Sequence, residues 1–321
     1  MSLLSGGGTG GRRVYCRVTL TRSCPVRTCG GSDLRPGSII ATPVTGRLPG
    51  EQLGLSLDGV LRFWNDRAGS YTELTVSPAI PLRVCIHGPA DGTWSGLANL
   101  RVLLVADVLT RIAELHGLQV IAVLATANPP PRAFEQAVSA LGIHPPAACA
   151  RPGEAEASLG GPAHVHLAKT TGGPGDGEGG VFIGVGPAED LTGREAGGRA
   201  AELAGSGGSG YDQLALRLAL LSRSHRQPVE LTRAVLADAA ESVGRWRHKV
   251  AEWACEPSKP IPAEAARHIR NAFDDDLNTV AALDVLRSME SGQDVQAGAK
   301  FETFVFVDRV LGLELAREIG H

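Results

Sequence analysis

The stretch Val84 to Arg101, "VCIHGPADGTWSGLANLR", carries the residue types that α/β enzymes use to hold phosphates. It reads as the end of a buried strand, a glycine-containing turn and the start of a helix, and a helix N-terminus offers backbone N–H groups and a positive dipole end to an anion. The stretch has the glycines that such a turn needs, Gly88 among them. The one histidine in the stretch, His87, precedes the turn. A second candidate is "DDDLNT", where Asp274, Asp275 and Asp276 stand ahead of a helical pattern. Three carboxylates can hold a metal, but before a helix they are expected to cap it and meet its dipole. Cys16, Cys24 and Cys29 fit no zinc spacing, and the six cysteines form no C-x-x-C pair.

These residues need elements to position them. "IPLRVCIHG" is an apolar run bounded by Pro and Gly, the profile of a buried parallel strand. A helix follows from Leu97 through Leu115 and stops at Gly117. "LQVIAVLATA" is a second buried strand, so the three make a βαβ unit with parallel strands. "GVLRFWND" reads as a short strand entering a turn, "RAFEQAVSA" as a helix, and "HVHL" and "GGVFIGVG" as further strands. From Tyr211 onward, five segments repeat apolar residues at helical spacing with short connections, the pattern of a helical bundle.

With 321 residues, 43% hydrophobic and 20% charged, the chain can bury a full core. About half of its 41 glycines gather in the first fifty residues, in "TTGGPGDGEGG" and in "AGSGGSG", which read as tails or loops. Three zones result: a Gly/Arg-rich arm over 1–53, expected to be disordered; a nucleotide-binding domain over 54–190; and a helical bundle over 191–321. A net charge of -3 supplies no global attraction to nucleic acid, and no DNA partner is expected. No apolar run reaches the length of a membrane span, and the start of the chain lacks a signal-peptide core, so a cytoplasmic protein is expected.

Several ordered segments together resemble the cysteinyl-tRNA synthetase family, a branch of the class I synthetases. Gly88-Pro89, six intervening residues and then "GLAN" and Arg101 keep the frame of the family's first signature, "HIGN". "ALGIHPPAACARPGE", "GYDQLALRLALLSRSHRQPVEL" and "FDDDLNTVAALDVL" are similar to further family segments. The resemblance implies an α/β fold: a class I synthetase-type Rossmann domain with a parallel sheet, followed by an all-α bundle.

The departures from the family are as informative. The remnant of the first signature is Gly96, Leu97, Ala98 and Asn99, with Gly96 where the family has its catalytic His and Ala98 where it has Gly. The second signature, counted back from Tyr211, falls on Thr192–Ala196, with Glu195 in place of a Lys that would face pyrophosphate. Lys169, the sole lysine between Leu82 and Gly210, is off the family loop and is expected to be a solvated side chain. The family binds cysteine through a zinc ion held by two Cys, a His and a Glu. Here His87 takes the position of the first Cys, and the segment carrying the other three ligands is absent, so zinc is expected to be lost. His164 and His166 alternate as strand neighbours do and could join His87 in a replacement site; Cys85 is expected to fill core space. ATP binding is expected to be weak. Arg217, Arg223 and Arg226 flank the start of the bundle, where the family approaches tRNA, and "RWRHK" adds a second basic cluster, although neighbouring carboxylates balance both.

The chain stops near the end of the helical region, a shortening that resembles the branch joining cysteine to an amino sugar in mycothiol synthesis. The functional expectation is an inactive family paralogue that binds a tRNA or a protein partner. The alternative is a working ATP-dependent cysteine ligase with a rebuilt site and a tRNA, amino-sugar or carrier acceptor.

Overall fold

A computed structural model describes residues 60–75, 79–94, 96–170, 179–192 and 212–320. The arm expected over 1–53 and residues 193–196 of the second signature lie outside the described residues. Apart from Gly320, the described residues fall within one compact unit, Arg47–Ile319.

The centre is a five-stranded parallel sheet of β3 (Leu82–His87), β4 (Val120–Ala125), β5 (Ala148–Ala150), β6 (Val165–Lys169) and β7 (Val181–Val185), in the order β5-β4-β3-β6-β7. The chain steps from β3 outward through β4 to β5, then returns to β6 on the other side of β3. This reversal opens the crevice in which α/β proteins bind ligands, between the carboxyl ends of β3 and β6. Before the sheet, β1 (Val60–Asn65) and β2 (Ser70–Thr75) form an antiparallel hairpin. After it, β8 (Ala188–Asp190) pairs in parallel with the distant β9 (Val229–Leu231).

Helix α1 (Leu97–Leu115) lies along one face of the sheet and touches β3, β4, β6 and β7. Its sides are buried almost all round, because α2 (Arg132–Ala140) and the C-terminal helices cover what the sheet does not. The opposite face is thinner. There the short α3 (Ala155–Leu159) packs on β3, β4 and β5 and builds a small separate core of Cys85, Val123, Ala125, Ala155, Leu159 and Ala163.

The C-terminal part is helical: α4 (Gln213–Leu221), α5 (Arg233–Trp253), α6 (Ala263–Asp274), α7 (Thr279–Ser291) and α8 (Ala297–Leu311). Side-chain caps start three of them, with Asp212, Thr232 and Asn278 accepting from the N–H groups of Leu214, Val235 and Ala281. One continuous hydrophobic core runs from the α1 face of the sheet into these helices. Among the described residues, no helix is long and apolar enough to cross a membrane.

The three aspartates expected to cap α7 do other work. Asn278 holds the cap, and the chain reaches it through left-handed backbone at Asp276 and Leu277, φ 56 and 51. That turn points the carboxylates elsewhere: Asp274 to His116 at 2.6 Å, Asp275 to Arg62 at 2.7 Å, and Asp276 to the backbone N–H of Trp64 at 3.0 Å. They fasten the bundle to β1 and to the end of α1.

Candidate functional site

The loop from Gly88 to Trp94 leaves β3 at the crevice and folds against the carboxyl end of β4. Gly88 is required there by close approach: a Cβ would stand 2.9 Å from that of Thr126 and 3.1 Å from the Trp94 ring. Trp94 donates from Nε1 to the Asn128 carbonyl at 2.8 Å and packs its ring 4.9 Å from that of Phe134, which fixes the outer half of the loop. Pro89, next to Gly88, is buried. At the mouth, Asp91 is held below its ordinary range chiefly by the backbone N–H of Thr93, with Lys169 at the end of β6 adding a smaller attraction.

Gly96 is the N-cap of α1, at φ 82 and ψ 166, with no side-chain cap. This is a backbone region that belongs essentially to glycine. Nothing lies within 4 Å of where its Cβ would be, so the conformation, rather than lack of room, is what demands Gly. Leu97 is buried in the core. Ala98 is partly buried, and the buried Asn99 donates its amide to the Thr93 carbonyl at 3.3 Å. Of the altered signature, then, the backbone turn is present, while Asn99 serves to close the loop.

Arg101, two residues beyond the signature, is 1% exposed and donates to the carbonyls of Gly186, Pro187, Gln227 and Ser224. It ties α1 to both segments leading into the β8–β9 pair. Burial depresses its pKa to about 10, so it stays charged at neutral pH. Beside it sits His225, buried and with neither ring nitrogen hydrogen-bonded, its pKa pushed down to about 3 by burial first and by Arg101 and Arg226 next.

On the α3 face, the register sets Cys85 of β3 opposite His166 of β6. His87 shares the face of Cys85, two residues on. His87 Nε2 lies 3.0 Å from His166 Nδ1, and the Cys85, His87 and His166 donor atoms all lie within 4.8 Å of one another. The Phe182 ring stacks on His166 at 5.5 Å and 15°. Burial, then His166 and then Arg67 lower the His87 pKa to about 4, so its imidazole is neutral at pH 7. His164 does not join them. It shares the same face, but two residues of strand displace it by about 6.6 Å, and its ring meets Arg83 instead, accepting from the backbone N–H at 3.1 Å.

The basic residues separate in the same way. Arg217, expected to face RNA, is entirely buried: it binds Asp107 at 2.5 Å and donates to the carbonyls of Leu141 and Leu311. A helix as apolar around its circumference as α4 leaves its one arginine nowhere else to go, and that signal was available in the sequence. Arg223 is exposed. Arg226 is part-exposed, lying 4.7 Å over the Trp64 ring and 3.7 Å from Asp66. In "RWRHK", Arg245 and Lys249 pair with Glu290, His248 with Glu252, and the buried Arg247 with Asp212.

No family model matches the chain. It is similar to the L-cysteine:1D-myo-inositol 2-amino-2-deoxy-alpha-D-glucopyranoside ligase of Streptomyces griseus, 40% identical over 112 residues, or 33% of this chain and 26% of that protein. The ligase of the same name from Rhodococcus erythropolis is 38% identical over 114 residues, 34% of this chain and 26% of the relative. The cysteine–tRNA ligase of Methylocella silvestris is 33% identical over 85 residues, 26% of this chain and 17% of the relative. The matches thus take in about a quarter or less of the length of these curated relatives.

Proposed function

Over the third of its length that is matched, the chain belongs with the cysteinyl-tRNA synthetase family and its mycothiol ligase branch, and from that premise we propose that it is a binding or regulatory paralogue that does not activate cysteine. The observation that carries this reading is Gly96. Adenylation builds charge on the phosphates of ATP, and pre-placed donors at a helix N-terminus stabilise it. At the position the family fills with His, this chain has no side chain, and its backbone at φ 82, ψ 166 is one that a His would adopt only under strain. Losing one such donor lowers the rate on the order of a hundred- to a thousandfold. Glu195 in the second signature would add repulsion toward pyrophosphate.

The turn at Gly88 and Pro89 and the open N-terminus of α1 support weak nucleotide binding without turnover. The partner in this reading is a tRNA or a protein, met in part by Arg223 and Arg226. The family's zinc set of two Cys, a His and a Glu does not fit the residues here, since His87 stands in the first position and its neighbours Cys85 and His166 are a different donor set.

Lys169 favours a second reading, a working cysteine ligase with a rebuilt site. It stands at the end of β6 beside the crevice, near enough to act on Asp91. Cysteine-dependent ATP–pyrophosphate exchange separates the two: none above background is expected from the first reading, and a cysteine-dependent signal lost in Lys169→Ala would establish the second.

A further inference from the structure

We propose that Cys85, His87 and His166 bind one zinc-class divalent ion in a three-ligand site on the α3 face of the sheet, with a fourth position open to water or a small ligand. This site is independent of cysteine activation, because donor atoms and their supports alone define it.

The strands place the ligands. β3 brings Cys85 and His87 to one face, and the β3–β6 register sets His166 directly beside Cys85, so two strands of a rigid sheet supply all three donors. With zinc–nitrogen bonds of about 2.0–2.1 Å and zinc–sulfur bonds of about 2.3 Å, ligand atoms around a tetrahedral ion stand roughly 3.3–3.6 Å apart. The observed 3.0 Å between the two imidazole nitrogens, and the 4.8 Å bound on the whole set, lie within side-chain rotation of that geometry.

The supports point the same way. His166 Nε2 is 2.9 Å from the Gly179 carbonyl, which can only accept, so the ring donates there and its Nδ1 lone pair faces His87 and Cys85. A metal-binding histidine is commonly oriented in this manner, its second nitrogen bonded to a carbonyl. Phe182 stacks on His166 and also flanks His87 at 6.1 Å, with Arg67 lying 5.1 Å over its outer face. Cys85 and His166 are buried at 3% and 1% exposure, whereas His87 is half-buried and marks the side from which an ion enters. Two imidazoles and a thiolate are a borderline-soft set suited to zinc over magnesium or calcium. On binding, His87 shifts its proton from Nε2 to Nδ1 and Cys85 releases its thiol proton to solvent.

The test uses the full chain with Cys16, Cys24, Cys29, Cys149 and Cys255 changed to Ser, freed of metal and titrated with cobalt(II), then with zinc against a chromophoric chelator. One equivalent per chain is expected, with a thiolate-to-cobalt charge-transfer band that zinc abolishes. Cys85→Ser should remove the band, and His87→Ala should weaken zinc by more than about tenfold at unchanged circular dichroism. His87 is half-buried, so this variant tests the site even if Cys85→Ser fails to fold. Absence of stoichiometric binding, a band that survives Cys85→Ser, or unaltered zinc affinity in folded His87→Ala would each overturn the proposal.

Discussion

Replacing Arg217 by Met should unfold the protein far more readily while leaving any RNA contact to other residues. The guanidinium and the Asp107 carboxylate are both fully buried and 2.5 Å apart. Two further donations go to the carbonyls of Leu141 and Leu311, and Gly312, at φ 62, lets the chain pass against the guanidinium, where a Cβ would stand 3.0 Å away. Met retains most of the aliphatic volume but takes the Arg217 partner from Asp107 and leaves the Leu141 and Leu311 carbonyls without that donor. Removing one member of a buried ion pair costs about 3–5 kcal/mol. Asp107 keeps Arg111 at 2.9 Å and the His144 backbone N–H at 3.1 Å, so the lower end applies, about 3 kcal/mol. For a unit of this size that corresponds to a fall in Tm of about 6–12 °C. Urea unfolding of Arg217→Met, Asp107→Asn and the double variant measures it, and the double variant should lose less than the sum of the two. A loss below about 1 kcal/mol for Arg217→Met would refute the clamp, and a stable variant that had lost RNA binding would return Arg217 to the surface role its sequence context suggested.

Three further outcomes follow from the same geometry. His225 has a folded pKa of about 3 against an ordinary value of 6.5, so the folded state takes up its proton later than the unfolded state. The stability this gives is complete above pH 6.5 and falls as the pH drops from 6.5 toward 3, by about 1.4 kcal/mol per unit; His225→Phe should lose that part of the slope, and equal slopes in the two proteins would contradict it. Gly96→Ala should destabilise by about 1–3 kcal/mol through its backbone conformation despite the open space around it, an expectation that a neutral result in denaturant unfolding would overturn. Arg226→Ala removes a cation–π contact and a part-exposed ion pair and should cost about 1 kcal/mol or less; if RNA is the partner, the slope of log affinity against log salt should also shrink by about one, and an unchanged slope would remove Arg226 from that contact.

The long elements were legible because each carries its own period. Apolar runs located β3, β4 and β7, and Gly117 follows the end of α1 within two residues. The short strands β5, β8 and β9 were not legible: three residues have no period, and β8 meets a β9 some forty residues on through backbone hydrogen bonds and the Arg101 clamp on both neighbouring segments. The site was half-visible. Alternation put His164, His166 and His87 on one face, but only the register of β3 and β6, neighbours in the sheet but far apart in sequence, decides that His166 reaches His87 while His164 reaches Arg83. Cys85 did enter a small core, as its type suggested, and the same face also brings its sulfur to two imidazoles. The aspartates of "DDDLNT" looked like a cap because spacing to a helix is readable, whereas the left-handed turn at Asp276 and Leu277 that redirects them is not.

The most direct measurement of the central reading is cysteine-dependent ATP–pyrophosphate exchange by the purified full chain with zinc present, beside a family ligase as positive control. With Gly96 at the head of α1, exchange should not rise above the no-cysteine background. A signal that requires both cysteine and zinc would contradict the reading of this chain as a paralogue that binds without activating cysteine.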